Sequence, residues 1–302
     1  MTTTEIKVEN SENIEPLLHT KVGNATNANF PVDDRGAVYH LGVAKGELSP
    51  RILTVGDSER AAKLRNELLE DAEKPVSHRG FVIHNGKYKG VKVSIVSIGM
   101  GPSMMDFLVR EGRYVVEGPM AIIRYGTCGS LKDVKVGSLA VASQAVLIRR
   151  NPDFWHQDKH SDCKNYDISL PVDGDKELVQ TLTNEFRSTF TDRETVVGIN
   201  ATADSFYSSQ GRIDPEFDDD NHNLINTLIE KFDNKVTTLE METFQLYHLS
   251  KRSKQPIKAA AATIILANRL SNAFLDNETK SRLEIEGGRA CLDALIKIDL
   301  NN

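Results

Sequence analysis

Met120-Ala121-Ile122-Ile123-Arg124-Tyr125-Gly126-Thr127-Cys128-Gly129 is the stretch from which both the fold and the chemistry of this chain can be read. Four apolar residues in a row read as a buried strand. The arginine, glycines and hydroxyl that follow read as a small turn at its carboxyl end, where α/β proteins collect their ligands. Glycine lets backbone N–H groups approach an oxyanion. Thr127 adds a donor, and Arg124 adds a planar fork of positive charge. The segment is an anion seat. Two further arginines in similar contexts upstream make a small phosphate-like anion its expected occupant.

Outward from this seat, apolar runs alternate with helical patterns. Residues 52–55 read as a strand, after which Ser58 caps a helix reaching Leu69. Residues 81–84 and 91–96 read as strands around an Asn85-Gly86 turn and a Lys89-Gly90 pair. Pro102 opens a helix to about Val116. Residues 139–142 are a further strand, 149–173 an irregular excursion, and 177–190 a helix followed by an extended stretch at 194–198. Helices are expected over 221–232 and 242–253. The long apolar run 257–266 is too β-branched at its end for a confident helix. A final helix covers 278–298, with Gly287-Gly288 as its weak point. This alternation predicts an α/β fold, a central mixed sheet flanked by helices. Residues 1–30, polar and rich in Asn and Thr, read as a mobile or surface tail. Residues 31–302 read as a single catalytic domain.

Bulk properties narrow the function. Charged residues at 26% and hydrophobic ones at 39% suit a soluble globular protein. The formal net charge of −6 with no basic block gives no nucleic-acid surface. No apolar run approaches the ~18 residues of a membrane span. The amino-terminal residues Met1-Thr2-Thr3-Thr4-Glu5 lack the layout of a signal peptide, and Asp299-Leu300-Asn301-Asn302 match no retention signal. Cys128, Cys163 and Cys291 are scattered and odd in number, which suits a reduced, cytoplasmic chain. No metal site is expected: His156 and His160 lack a third ligand, and Asp218-Asp219-Asp220 read as a solvated helix cap. Gly99-Met100-Gly101 is not a dinucleotide fingerprint.

Other segments join the anion seat. Gly56-Asp57-Ser58-Glu59-Arg60 follows a strand and opens a helix, so free N–H groups and a positive helix end face the same way as Arg60. A simple Gly-Asp turn with Arg60 on a solvated face reads from the same residues. Arg79, in Ser77-His78-Arg79-Gly80, reaches into a cleft or across an interface, or is an exposed basic residue at a strand end. Gln210 and Arg212, two apart in an extended loop, suit the edge of a flat, carbonyl-rich ring whose face Phe206 would cover. Glu242, in Leu239-Glu240-Met241-Glu242, suits two vicinal hydroxyls with Met241 padding the sugar, or complements a helix dipole. Arg269, ending the long apolar run, faces a cleft.

In this order the motifs Gly-Asp-x-x-Arg (56–60), Ser-His-Arg (77–79), Arg-x-Gly-Thr-x-Gly (124–129), Phe-Tyr-x-x-Gln-x-Arg (206–212), Glu-Met-Glu (240–242) and Asn-Arg (268–269) resemble the nucleoside phosphorylase-I family, and within it the uridine phosphorylases. The likeness runs from about His40 to Arg269. It implies phosphate held by Gly56, Arg60, Arg124 and Thr127, with Arg79 reaching in from a second subunit. It implies a nucleoside site of Thr127, Gly129, Phe206, Gln210, Arg212, Met241, Glu242 and Arg269, with His40 of a second subunit on the ribose 5′-hydroxyl. Arg124, Arg60, Arg79, Gln210 and Arg212 would carry catalysis in a homodimer with shared sites. Purine-specific relatives carry Asp where this chain has Arg269, which favours pyrimidines. Gly80 stands where bacterial uridine phosphorylases place a cation-binding Glu, so no interface cation is expected. The implied activity is reversible phosphorolysis of uridine to uracil and ribose 1-phosphate in pyrimidine salvage, with inorganic phosphate as co-substrate and no cofactor. The rival readings are a purine phosphorylase, a hydrolytic nucleosidase and a non-catalytic nucleoside sensor.

Overall fold

The computed structural model describes residues 18–19, 23–156 and 163–300. Residues 1–17, 20–22 and 157–162, with His160 among them, and the terminal Asn301-Asn302 lie outside it. The strands are β1 Leu18–His19, β2 Arg51–Val55, β3 Val76–His78, β4 Phe81–Tyr88, β5 Val91–Ser97, β6 Met120–Ser130, β7 Leu139–Arg150, β8 Tyr166–Ile168, β9 Val172–Asp173, β10 Thr195–Ala203, β11 Val236–Glu240 and β12 Ile257–Asn268. The helices are α1 Ser58–Leu68, α2 Pro102–Val115, α3 Asp153–His156, α4 Lys176–Thr189, α5 Leu224–Lys231, α6 Thr243–Arg252 and α7 Asn277–Lys297.

All the strands belong to one mixed sheet, as the alternating pattern predicts, but part of it closes. The strand order is β1-β3-β4-β5-β2-β6-β11-β10-β7-β12, and β12 also pairs with β6. Strands β6, β11, β10, β7 and β12 therefore form a closed ring, from which β2, β5, β4, β3 and β1 extend as an open arm. β6 is shared by both parts. It lies parallel to β2 (Leu53 opposite Ile123) and to β12 (Ala261 opposite Arg124).

The continuous apolar run of β6 follows from burial on both faces. Ala121, Ile123 and Tyr125 pack toward α1, α4 and α7 with Leu64, Phe186 and Leu295. Met120 and Ile122 pack toward α2 and α6 with Met105, Leu108 and Tyr247. Arg124 falls on this second face, where a charge must find partners.

Several expectations change. Residues 124–129 are not a turn, since β6 runs through to Ser130 and is paired to the end by β12 and β11. Asp57 rather than Ser58 caps α1, its carboxylate accepting from Glu59 N at 2.9 Å. The hairpin reverses at Lys89-Gly90 and not at Asn85-Gly86. Lys89 and Gly90 both take positive φ, 48° and 76°, which makes the two-residue turn whose twist suits paired strands. Gly86 stays inside β4, where a side chain would press on the Glu70 carbonyl at 3.1 Å. Within the excursion at 149–173, β7 continues to Arg150 and carries β8 and β9 as short antiparallel partners. Residues 218–220 cap no helix: α5 begins at Leu224 after Asn223. The Asp219 carbonyl instead accepts from the Tyr166 hydroxyl at 2.7 Å. The tail contributes one short piece of structure, Leu18–His19 lying parallel to β3. α7 passes unbroken through Gly287-Gly288, and a Cβ at either glycine would overlap Tyr125 or Leu64. Those glycines are contact points, not breaks.

Candidate active site

A cavity of about 530 Å³ opens where the carboxyl ends of β2, β5 and β6 meet the amino ends of α1 and α2. Gly56, Asp57, Ser58 and Arg60 bring the start of α1 to its wall. Gly99 and Met100 bring the loop before α2, and Arg124, Thr127 and Gly129 come from β6. Phe206, Gln210 and Arg212 close one side, Met241 and Glu242 another, and Leu266 and Phe274 the rim. The two backbones run so close at Gly56 and Gly99 that a Cβ on Gly56 would sit 3.1 Å from the Gly99 carbonyl.

Arg124 is buried between two carboxylates. Nη2 donates to Glu242, and Nε lies 3.3 Å from Glu240 Oε2. Burial opposes its charge, but the attraction of Glu242 and Glu240 outweighs it and holds its pKa above the ordinary value. Nη1 has no hydrogen-bond partner among the described residues. It presses against Gly126, where any Cβ would collide with the guanidinium. Glycine at 126 is thus required by the arginine two residues earlier.

Glu240 accepts from the Thr202 hydroxyl at 2.6 Å and from the amides of Glu242 and Thr243 at 2.9 and 3.1 Å. Burial raises its pKa above the usual carboxylate range. Arg124 pulls it back and Glu242 adds to the rise. Glu242 stands at the start of α6 and also accepts from Gly101 N at 2.6 Å, tying the amino ends of α6 and α2 together. Arg60, also buried, donates through Nε to Glu284 of α7 at 2.9 Å. That bond fixes the stem and leaves its terminal nitrogens for another acceptor.

The loop that carries Gln210 and Arg212 is a 3₁₀ turn, Ser208–Gln210, closed by Gly211 at φ 60°, rather than an extended segment. It still presents both polar side chains to the cavity. Asn221 pins it by donating to the carbonyls of Ser208 and Arg212 at 3.0 and 2.9 Å. The Arg212 guanidinium lies 4.0 Å over the Phe206 ring. Burial lowers the Arg212 pKa, and the nearby charge of Arg269 lowers it further.

Arg269 is not among the residues that line the cavity. Its terminal nitrogens donate to the carbonyls of Gln210 and Gly211 at 3.0 and 3.1 Å, so it braces the loop from behind. The backbone carbonyls turn toward it because Gly211 takes the left-handed conformation.

His40 and Arg79 are also away from this cavity. They share another surface with Tyr39. The Arg79 guanidinium lies 4.2 Å over the Tyr39 ring and donates to its hydroxyl. Arg79 and Gly80 form a two-residue turn with φ 48° and 86°, which holds Arg79 at the hairpin tip.

The sequence reading omitted Glu284 as the anchor of Arg60 and Glu240 as a partner of Arg124. The Glu-Met-Glu motif carried the signal for Glu240. Glu284 offered none beyond its place on a helix 224 residues away.

Comparisons with known proteins place the chain in a family. The family model described as phosphorylase superfamily matches residues 50–297. A uridine phosphorylase of Thermococcus kodakarensis is 29% identical over 250 residues, covering 82% of this chain and 83% of the relative. A DeoD-type purine nucleoside phosphorylase of Oceanobacillus iheyensis is 30% identical over 224 residues, 70% of this chain and 80% of the relative. A solved structure from work on two diverse uridine phosphorylases of the oomycete Phytophthora capsici superposes with a TM-score of 0.88 at 37% identity. It spans 92% of this chain and 100% of that one. The chain belongs to the phosphorylase superfamily and is a pentosyltransferase of the nucleoside phosphorylase type.

Proposed function

We propose that the protein is a uridine phosphorylase that converts uridine and phosphate to uracil and ribose 1-phosphate. The observation that carries this reading is that one cavity is lined by Gly56, Arg60, Arg124 and Thr127, which suit an anion, by Gln210 and Arg212, which suit the edge of a base, and by Glu242, which suits ribose hydroxyls. Such a lining suits phosphate, ribose and base in one cavity.

Phosphate takes the amino end of α1, the terminal nitrogens of Arg60 and the unpartnered Nη1 of Arg124. Each charge-assisted bond contributes about 1.5–3 kcal/mol. Glu242 accepts from the ribose hydroxyls while Met241 packs on the sugar. The C1′–N1 bond stretches first, and its electron pair moves onto uracil. Gln210 and Arg212 stabilise that charge as preorganised donors. A phosphate oxygen held beneath C1′ then captures the sugar cation. The protein itself forms no covalent bond, and phosphate is the co-substrate.

His40 and Arg79 complete the site from a second copy of the chain, His40 on the ribose 5′-hydroxyl and Arg79 on phosphate. Their distance from the cavity of their own chain supports this use in trans, in a homodimer. Residues 31–302 act as the catalytic domain, to whose sheet Leu18–His19 adds an edge strand. The free thiols Cys128, Cys163 and Cys291 suit a reducing cytoplasm, and the proposed reaction is one of pyrimidine salvage.

The likeness to purine enzymes favours a second substrate class. Gln210 and Arg212 argue against it, because an amide and a guanidinium suit the carbonyl-rich edge of uracil. The test is uracil release from uridine with and without phosphate, repeated with inosine. Phosphate-dependent release that exceeds inosine cleavage is expected. Equal release without phosphate, or faster cleavage of inosine, contradicts the reading.

A further inference from the structure

Glu111 is a carboxylate buried in the middle of α2, with no lysine or arginine in contact among the described residues. Its oxygens instead gather the loop that carries His40. They accept from His40 N at 3.0 Å, from Leu41 N at 2.8 Å and from the His40 ring at Nδ1, 2.6 Å away. One turn earlier on α2, Phe107 stacks on the same imidazole with ring centres 3.8 Å apart and planes 23° apart. The ring is therefore gripped on one edge and one face by side chains four residues apart on a single helix. The loop is itself pinched behind His40, with Gly42 N donating to the Val38 carbonyl at 2.9 Å.

This geometry decides which nitrogen is available. A carboxylate can only accept, so the proton of the neutral ring sits on Nδ1. Nε2 keeps its lone pair and points away from Glu111. A lone pair held there accepts a hydrogen bond from a hydroxyl. The alternative tautomer would put two acceptors face to face at 2.6 Å.

We propose that Glu111 is a positioning residue that sets the His40 tautomer, so that His40 accepts from the 5′-hydroxyl of the nucleoside and the enzyme selects 5′-hydroxylated substrates. This rests on the phosphorolysis reading and on His40 acting in the site of a second copy. Glu111 acts only through His40.

The test compares kcat/KM for uridine and 5′-deoxyuridine in the wild type, Glu111→Gln and His40→Ala. One hydrogen bond to the hydroxyl gives the wild type a preference for uridine of about tenfold. In Glu111→Gln the preference falls to about that of His40→Ala, because the amide can donate to Nδ1 and turn the ring's proton to Nε2. A merely structural loss would lower both substrates equally and keep the ratio, which would overturn the proposal, as would a wild type with no preference. Glutamine has nearly the shape of glutamate, but should Glu111→Gln fail to fold, nitrogen-15 NMR of His40 in the wild type decides independently. A neutral ring protonated at Nδ1 is expected, and one protonated at Nε2 would overturn the assignment. If the wild type releases no uracil at all, the phosphorolysis reading falls. The NMR result still judges the role of Glu111.

Discussion

Arg124 is held by Glu240 and Glu242, and its Nη1 keeps no hydrogen-bond partner among the described residues. Removing it takes away the proposed anion donor and leaves two buried carboxylates without their cation. Arg124→Ala is expected to lower turnover by about 10²–10³-fold, as loss of a preorganised donor does. It should also cost about 3–5 kcal/mol of stability. Steady-state kinetics and urea unfolding of the same sample check both numbers, and unchanged kcat/KM would refute the donor role. Arg269 makes a different prediction. If it braces the Gln210–Arg212 loop, Arg269→Ala lowers kcat/KM for uridine and for 4-thiouridine by the same factor, about tenfold for two lost hydrogen bonds. A direct contact with the base oxygen would instead change the ratio between the two substrates. At this scale the sequence was legible where chemistry is local. Gly126 next to Arg124, and Gln210 next to Arg212, lie within single motifs. It was opaque where partners are remote, as with Arg60 and Glu284. The bonds of Arg269 to the Gln210 and Gly211 carbonyls were not legible, because a sequence shows that a charge ends a strand, not which carbonyls turn to meet it.

Among the elements, β4 and α7 each hold a residue whose effect runs against its usual propensity. His84 in β4 is buried, and neither ring nitrogen has a hydrogen-bond partner among the described residues. Burial first, and then the charge of Arg65, lower its pKa from 6.5 to about 4. Between those values the unfolded chain binds the proton and the folded chain does not. Stability from this group is therefore complete above about pH 6.5 and is lost as pH falls toward 4, by up to about 3 kcal/mol. Melting temperatures of wild type and His84→Phe across that range should converge at the neutral end and separate on acidification, with the wild type falling faster. Parallel curves would show that His84 does not titrate in this way. In α7, Gly287→Ala should destabilise the protein although alanine favours helix by about 1 kcal/mol, because the new methyl meets Tyr125. Denaturant unfolding would show a lower midpoint, and a raised one would contradict the contact. Element types were readable from hydrophobic period, and helices α2, α4 and α6 ended within a residue or two of expectation. Turns were less readable. Asn85-Gly86 has the composition of a hairpin turn, yet it sits in β4 because the neighbouring chain at Glu70 needs the space.

For the whole molecule, the α/β class followed from alternating patterns, while closure of β6, β11, β10, β7 and β12 into a ring did not. Closure depends on the pairing of β6 with β12, more than 130 residues apart in register, and no local signal encodes it. The ring sets the strand ends of β6, β11 and β12 side by side, which gathers Thr127, Glu240 and Ala267 at one cavity. The proposed use of Arg79 and His40 in trans is tested at this scale. Arg79→Ala and Arg124→Ala homodimers should each be nearly inactive, yet mixing them under conditions of subunit exchange should restore activity, since one site in each mixed dimer keeps both arginines. No recovery after proven exchange would place Arg79 outside the site.

The most direct measurement is a crystal structure with phosphate and a non-cleavable uridine analogue bound together. The account predicts a phosphate about 3 Å from Arg124 Nη1 and Arg60 at the start of α1, beneath C1′, with the base against Gln210 and Arg212. An analogue bound with no anion at those arginines, or an anion bound elsewhere, would contradict it.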